Sequence, residues 1–173
     1  MLTAIPTALG YVLGPLTHAI NAIPKAIGLP IGVRLGFMSL VVSVVLARAL
    51  LGRGAALTQG VLLAVTGVTL HHGEPPFIRA PKDVLLGLGV ELVTLSAKLL
   101  LSAKRVLAAS VVGGLLSYTP YLLFLPCQSP YVSLVAALAL MPSFLMSCAV
   151  GGLLASELME RLLRSGAWSK PSS

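Results

Sequence analysis

Long apolar runs separated by short clusters of polar residues, proline and glycine dominate this chain. From Leu2 to Ile23 no residue carries a formal charge, and only His18 and Asn21 interrupt the far end of the run. Leu35 to Leu51 repeats the pattern with Arg48 near its end, and Ala55 to Leu70, Val84 to Leu101, Val106 to Leu125 and Tyr131 to Ala155 follow. Stretches such as Leu40 to Leu46 and Val111 to Leu116 are apolar or small on every side, whereas strands of a membrane barrel would alternate apolar and polar positions. About 20 helical residues cross a bilayer core about 30 Å thick. The pattern therefore predicts an all-α polytopic membrane protein, a bundle of six transmembrane helices over 2–23, 35–51, 55–70, 84–101, 106–125 and 131–155, in a single domain covering 1–173.

The punctuation supports the same division. Gly52-Arg53-Gly54 reads as a tight turn, Ser102 to Arg105 as a basic turn, and Cys127 to Pro130 as another turn. Between the third and fourth runs lies the longest polar segment, His71 to Pro81, in which Pro75, Pro76 and Pro81 are expected to stop helix propagation. Pro6 and Pro15 are expected to kink the first helix, which lacks the basic start and cleavage site of a signal peptide and is expected to be retained. The tail, 157–173, begins with the amphipathic run Glu157 to Arg164, expected to lie on the membrane surface or to continue the last helix into water.

Composition sharpens this picture. Of 173 residues, 57% are hydrophobic and 10% charged, with a mean hydropathy of +0.97; soluble domains have about a quarter of their residues charged. Six spans leave no room for a sizeable soluble catalytic domain, and so aliphatic a chain is not disordered. The net charge of +7 is dispersed between apolar runs rather than gathered on one soluble face, so nucleic acid is not expected as a partner. Basic residues are retained in the cytoplasm. With the amino terminus inside, Arg48, Arg53, Lys98, Lys104, Arg105, Arg161, Arg164 and Lys170 face the cytoplasm, against Lys25, Arg34, Arg79 and Lys82 outside. Both termini are therefore expected in the cytoplasm, in a multi-pass protein of the cell membrane.

In that topology the outer ends collect the hydrogen-bonding side chains. His18 and Asn21 close the first span, His72 and Glu74 lie in the second outer loop, and Tyr118, Tyr121, Gln128 and Tyr131 flank the third. Glu91 is expected midway down the fourth span, where an isolated carboxylate costs about 2.5–3.5 kcal/mol on insertion scales. It should face a partner, with Arg48 as one candidate, or a wet cavity. The functional reading is an outward-opening aromatic pocket with Glu91 as its deepest polar contact. Against it stand plainer ones: tyrosines at span ends as interfacial anchors, and His71 and His72 as a solvated loop with no third metal ligand at helical spacing. No metal or cofactor is expected. Catalytic signatures such as His-Glu-x-x-His, Gly-x-Ser-x-Gly or a phosphate-cradling loop are absent from the sequence, and Gly87 and Gly89 read as helix-packing glycines. The chain is not expected to be an enzyme.

Small residues recur at four-residue spacing, notably in Ala4-Ile5-Pro6-Thr7-Ala8 at the start of the first span. With the apolar, Gly-Arg-Gly, apolar sequence from Leu35 to Val65, six spans and both ends inside, the chain resembles the substrate-binding S components of energy-coupling factor transporters. That resemblance implies that Ala4 and Ala8 dock on a transmembrane coupling protein. It also implies capture of a scarce, vitamin-like solute at the outer face, and release inside by reorientation with ATPase subunits; the nucleotide sites would lie in those subunits. The chain departs from the family in having Pro6 within the alanine pair and in lacking the amino-terminal Met-His motif of the nickel and cobalt members, so a metal solute is not implied. Two other classes remain open from the residues alone. One is an accessory or assembly subunit of a larger membrane complex; the other is a membrane enzyme acting on lipid or isoprenoid substrates with Glu91 as base.

Overall fold

The computed structural model describes residues 35–69, 75–95, 102–128 and 134–165. Among them are five helices and no strand: α1 (Leu35–Leu51), α2 (Ala55–Thr69), α3 (Pro76–Thr94), α4 (Ala103–Gln128) and α5 (Leu134–Arg164). The first predicted span, 2–23, lies outside the described residues. Two helical segments, Ala103–Phe124 and Leu140–Arg164, are long and apolar enough to cross a membrane, while Gly36–Leu51 and Ala55–Thr69 are apolar but shorter.

Helices α1 and α2 start and stop where the glycine punctuation places them. Gly52, at φ +88°, closes α1 with its amide donating to the Arg48 carbonyl, and Gly54, at φ +82°, precedes α2 and accepts from the Thr58 amide. Both conformations are left-handed, so glycine is the residue that adopts them without a Cβ penalty. Helix α3 departs from expectation, beginning at Pro76 rather than at Val84 and ending at Thr94 rather than at Leu101. Pro75 and Pro76 start this helix instead of blocking it, and Pro81 lies inside it rather than ending it. Pro76 occupies the first turn, where a missing N–H costs nothing, and the Pro75 carbonyl accepts from the amides of Ile78 and Arg79. Helix α5 runs on through Arg164, so the beginning of the tail is a continuation of the last helix, about 46 Å long in all.

Each helix runs antiparallel to its neighbour in sequence. Gly60 of α2 lies against Asp83 of α3 and Gly87 of α3 against Ala56 of α2; Gly89 of α3 meets Gly113 of α4; Gly152 of α5 meets Ser110 of α4. The α1–α2 turn, the end of α3, the start of α4 and the end of α5 therefore share one end of the bundle, called here the turn end. Helix α1 touches all four others and contributes Val41, Val44 and Val45 to the core with no exposed surface. Glycine brings backbones together at these crossings: a Cβ on Gly89 would stand 2.5 Å from the Gly113 Cα, and one on Gly87 would collide with the Ala56 carbonyl oxygen. Gly87 and Gly89 thus serve helix packing, as their sequence setting suggests.

The surface is as informative as the core. Val61, Leu62 and Val65 on α2, Leu92 and Leu95 on and beside the end of α3, Leu115 and Leu123 on α4, and Leu138, Met146, Leu153 and Leu154 on α5 are all exposed. So many exposed large apolar side chains are what a lipid solvent favours and water disfavours. Hydroxyls on these helices turn back on their own backbone, Thr58 to the Gly54 carbonyl, Thr66 to Leu62 and Thr69 to Val65. Their polar atoms are satisfied without water.

Candidate functional site

The buried charges lie along α3, in two layers. At the turn end, Glu91 Oε1 stands 3.2 Å from Arg48 Nε and accepts from the Gly54 amide at 2.7 Å. Arg48 Nε donates to Thr94 Oγ1 at 3.0 Å and Nη2 to the Thr94 carbonyl at 3.1 Å. The Thr94 hydroxyl in turn donates to the carbonyls of Val90 and Glu91. The chemistry follows from helix ends, which leave amides unsatisfied at the start and carbonyls unsatisfied at the finish. A carboxylate at the start of α2 and a guanidinium at the finish of α3 satisfy those groups, and each charge is placed favourably against the dipole of the helix end it caps. Arg48 and Glu91 side chains are 2% and 11% exposed, so this brace joins α1, the α1–α2 turn and α3 out of water.

This arrangement corrects the expected position of Glu91. It occupies the last turn of α3 beside the Gly52–Gly54 turn, not the middle of its helix, because α3 starts and ends earlier than the apolar run suggested. Its partner is Arg48, one of the two alternatives open from the sequence. Oε1 is thus engaged by an amide and a guanidinium, while Oε2 is buried without a hydrogen-bond partner among the described residues.

The second layer lies eight to twelve residues earlier on α3, about 12–18 Å along the helix. Asp83 is fully buried and Lys82 nearly so, and Arg79 Nε lies 3.8 Å from Asp83 Oδ2. Gly67 of α2 opens the space through which the Arg79 side chain passes; a Cβ there would collide with it. Across on α4, Tyr121 Oη lies 3.4 Å from Lys82 Nζ, and the same ammonium stands 5.6 Å from the Tyr121 ring centroid. Tyr121 stacks on Tyr118 at 5.6 Å, and Tyr118 meets Phe144 of α5 at 4.8 Å, which in turn packs on Phe37 of α1 at 4.0 Å. The polar layer thereby meets Tyr121, the first of a row of aromatic rings drawn from three helices.

No family model matches this chain, and neither the curated proteins nor the solved structures contain a significant match.

Of the side chains expected to contact a solute, the structure brings together Tyr118 and Tyr121 and separates both from Glu91. Tyr118 is buried among aromatic rings, neither an interfacial anchor nor the neighbour of that carboxylate. His18, Asn21, His72, Glu74 and Tyr131, with Ala4 and Ala8 of the docking pattern, lie outside the described residues, and Gln128 is described only as the last residue of α4. Arg79, Lys82 and Asp83 escaped the sequence reading because they were assigned to a loop and its margin. A signal was present: Arg79 and Asp83 fall at i and i+4, and Pro75-Pro76 directly before them is a helix start. Among the described residues, no group of three His, Cys, Asp or Glu side chains could hold a metal ion.

Proposed function

We propose that this protein is a multi-pass component of the cell membrane that holds a small vitamin-like solute between its helices. It passes that solute inward together with a transmembrane coupling protein and ATPase subunits. The observation that carries this reading is the layer of half-buried Arg79 and buried Lys82 and Asp83, set between helices that carry exposed apolar side chains. Ionisable groups buried between helices are costly, and in membrane bundles they characteristically mark substrate or ion pathways. Lys82 and Asp83 supply donors and acceptors, and Tyr121 and Tyr118 an aromatic wall. His18, Asn21, His72, Glu74, Gln128 and Tyr131 are proposed as further solute contacts, and Ala4 and Ala8 as the docking pair for the coupling protein, on their sequence positions alone. Glu91 braces helix ends through Oε1.

Calorimetric titration of the purified chain with a panel of vitamins and their precursors tests this. One compound should bind saturably, and Lys82→Met or Tyr121→Phe should weaken it about ten- to a hundredfold, the value of one hydrogen bond to a charged group. No saturable ligand, or equal affinity in both variants, would overturn the proposal. A second reading, an assembly subunit that binds no solute, draws support from the glycine-lined crossings and the Arg48–Glu91 brace, both suited to a rigid scaffold. Absence of binding combined with stable co-purification of other membrane subunits would favour it.

A further inference from the structure

We propose that the turn end binds the headgroups of anionic phospholipids, with Lys104 and Arg105 as the principal contacts and Arg53 as a third. The inference is independent of any solute and needs only that the helices sit in lipid.

The charges of the described residues are sorted along the bundle. Arg53, Lys104, Arg105, Glu157, Glu160, Arg161 and Arg164 are exposed, and every one of them lies at the turn end; Arg48, Arg79, Lys82, Asp83 and Glu91 are buried or half-buried. The exposed set is not uniformly basic in effect. Arg161 pairs with Glu157 at 2.9 Å and Arg164 with Glu160 at 2.5 Å, each one helical turn apart. Arg53, Lys104 and Arg105 form no ion pair with a described residue. Three positive charges are thus left for an anion from outside the chain.

Nothing within α4 rewards the two cations at its start. Lys104 and Arg105 stand in the first turn, beyond the Ser102 carbonyl that accepts the first helical amides, and there the helix dipole opposes positive charge. An external anion offsets that repulsion.

The neighbouring surface identifies the anion. Lys104, Ala108 and Leu115 fall at i, i+4 and i+11, within a narrow arc of one helix face, and all three are exposed. Leu51, next to the α1–α2 turn that carries Arg53, is exposed as well. The cations therefore rim apolar surface that continues down the same face. A lipid satisfies both parts at once, its phosphate against the cation and its acyl chain along Ala108 and Leu115. A soluble acidic partner or nucleic acid would leave the apolar stripe uncovered.

Native mass spectrometry of the full chain released from mixed micelles, with phosphatidylcholine replaced stepwise by phosphatidylglycerol, reads the retained lipid directly. The wild-type chain should retain phosphatidylglycerol in preference. Each basic residue near an anionic surface contributes about fivefold in affinity, so K104Q/R105Q should reduce retention about 25-fold and K104R/R105K should preserve it. Adding E157Q/E160Q to K104Q/R105Q returns the original net charge by freeing Arg161 and Arg164, and should not restore binding. Equal retention of the two lipids by the wild type, or recovery in the charge-restored variant, would overturn the proposal. So would equal binding of free glycerol phosphate, which has no acyl chain for the stripe. All substituted side chains are exposed; retention by R53Q, with a smaller expected loss, provides a second reading away from α4.

Discussion

Replacing Glu91 by Gln tests the brace at the turn end most directly. The amide side chain keeps an oxygen for the Gly54 N–H but removes the charge beside Arg48, whose side chain is 2% exposed. Breaking a buried pair by removing one partner costs about 3–5 kcal/mol, because the remaining charge stays desolvated. At about 2–4 °C per kcal/mol for a chain of this size, the melting temperature should fall by about 6–20 °C. Glu91→Ala should fall further, by about another 1 kcal/mol, since the amide at the start of α2 then loses its cap as well. The informative variant is the double one. Arg48→Met with Glu91→Leu removes both charges and fills the space with apolar side chains, a change that is commonly neutral or stabilising. Thermal unfolding of Arg48→Met, Glu91→Leu and the double variant in one detergent closes the cycle. The double variant should recover at least half of the loss seen in Glu91→Gln. Were Glu91→Gln to melt within about 2 °C of wild type, or the double variant to lose as much as both singles together, the charges would not be coupled and the brace would be incidental.

Two further outcomes follow from packing and from helix direction. Gly89→Ala sets a methyl group against the Gly113 backbone and should cost about 1–3 kcal/mol by overpacking. Gly52→Ala, which meets nothing within 4 Å, should cost about 1 kcal/mol through its φ of +88° alone; an unchanged melting temperature in either variant would contradict the cause given for it. In a background lacking Cys127 and Cys148, single cysteines replacing Arg53, Lys104 and Ser165 should react with an impermeant maleimide from one side of the membrane and a cysteine replacing Phe77 from the other. Labelling of all four from the same side would refute the alternating helix directions.

The sequence alone determined that the chain is helical and greasy, and it placed α1 and α2 almost to the residue. Glycine punctuation and uninterrupted apolar runs are local signals, and local signals survive without tertiary context. It also named Arg48 as a possible partner for Glu91, because a carboxylate inside an apolar helix needs compensation wherever it points. Helix α3 was misplaced for the converse reason. A window of hydropathy sums over all sides of a helix, so Arg79, Lys82 and Asp83 counted as a water-exposed loop, although the fold turns them toward α2 and α4. Tyr118 was expected in the same outward pocket as Glu91, whereas antiparallel packing sets it beside Phe144, more than one helical turn from that carboxylate's layer. Tertiary structure decided which charges meet: pairing depends on helix direction and crossing depth, set by glycines in contact across helices, and no spacing within a single helix encodes that register.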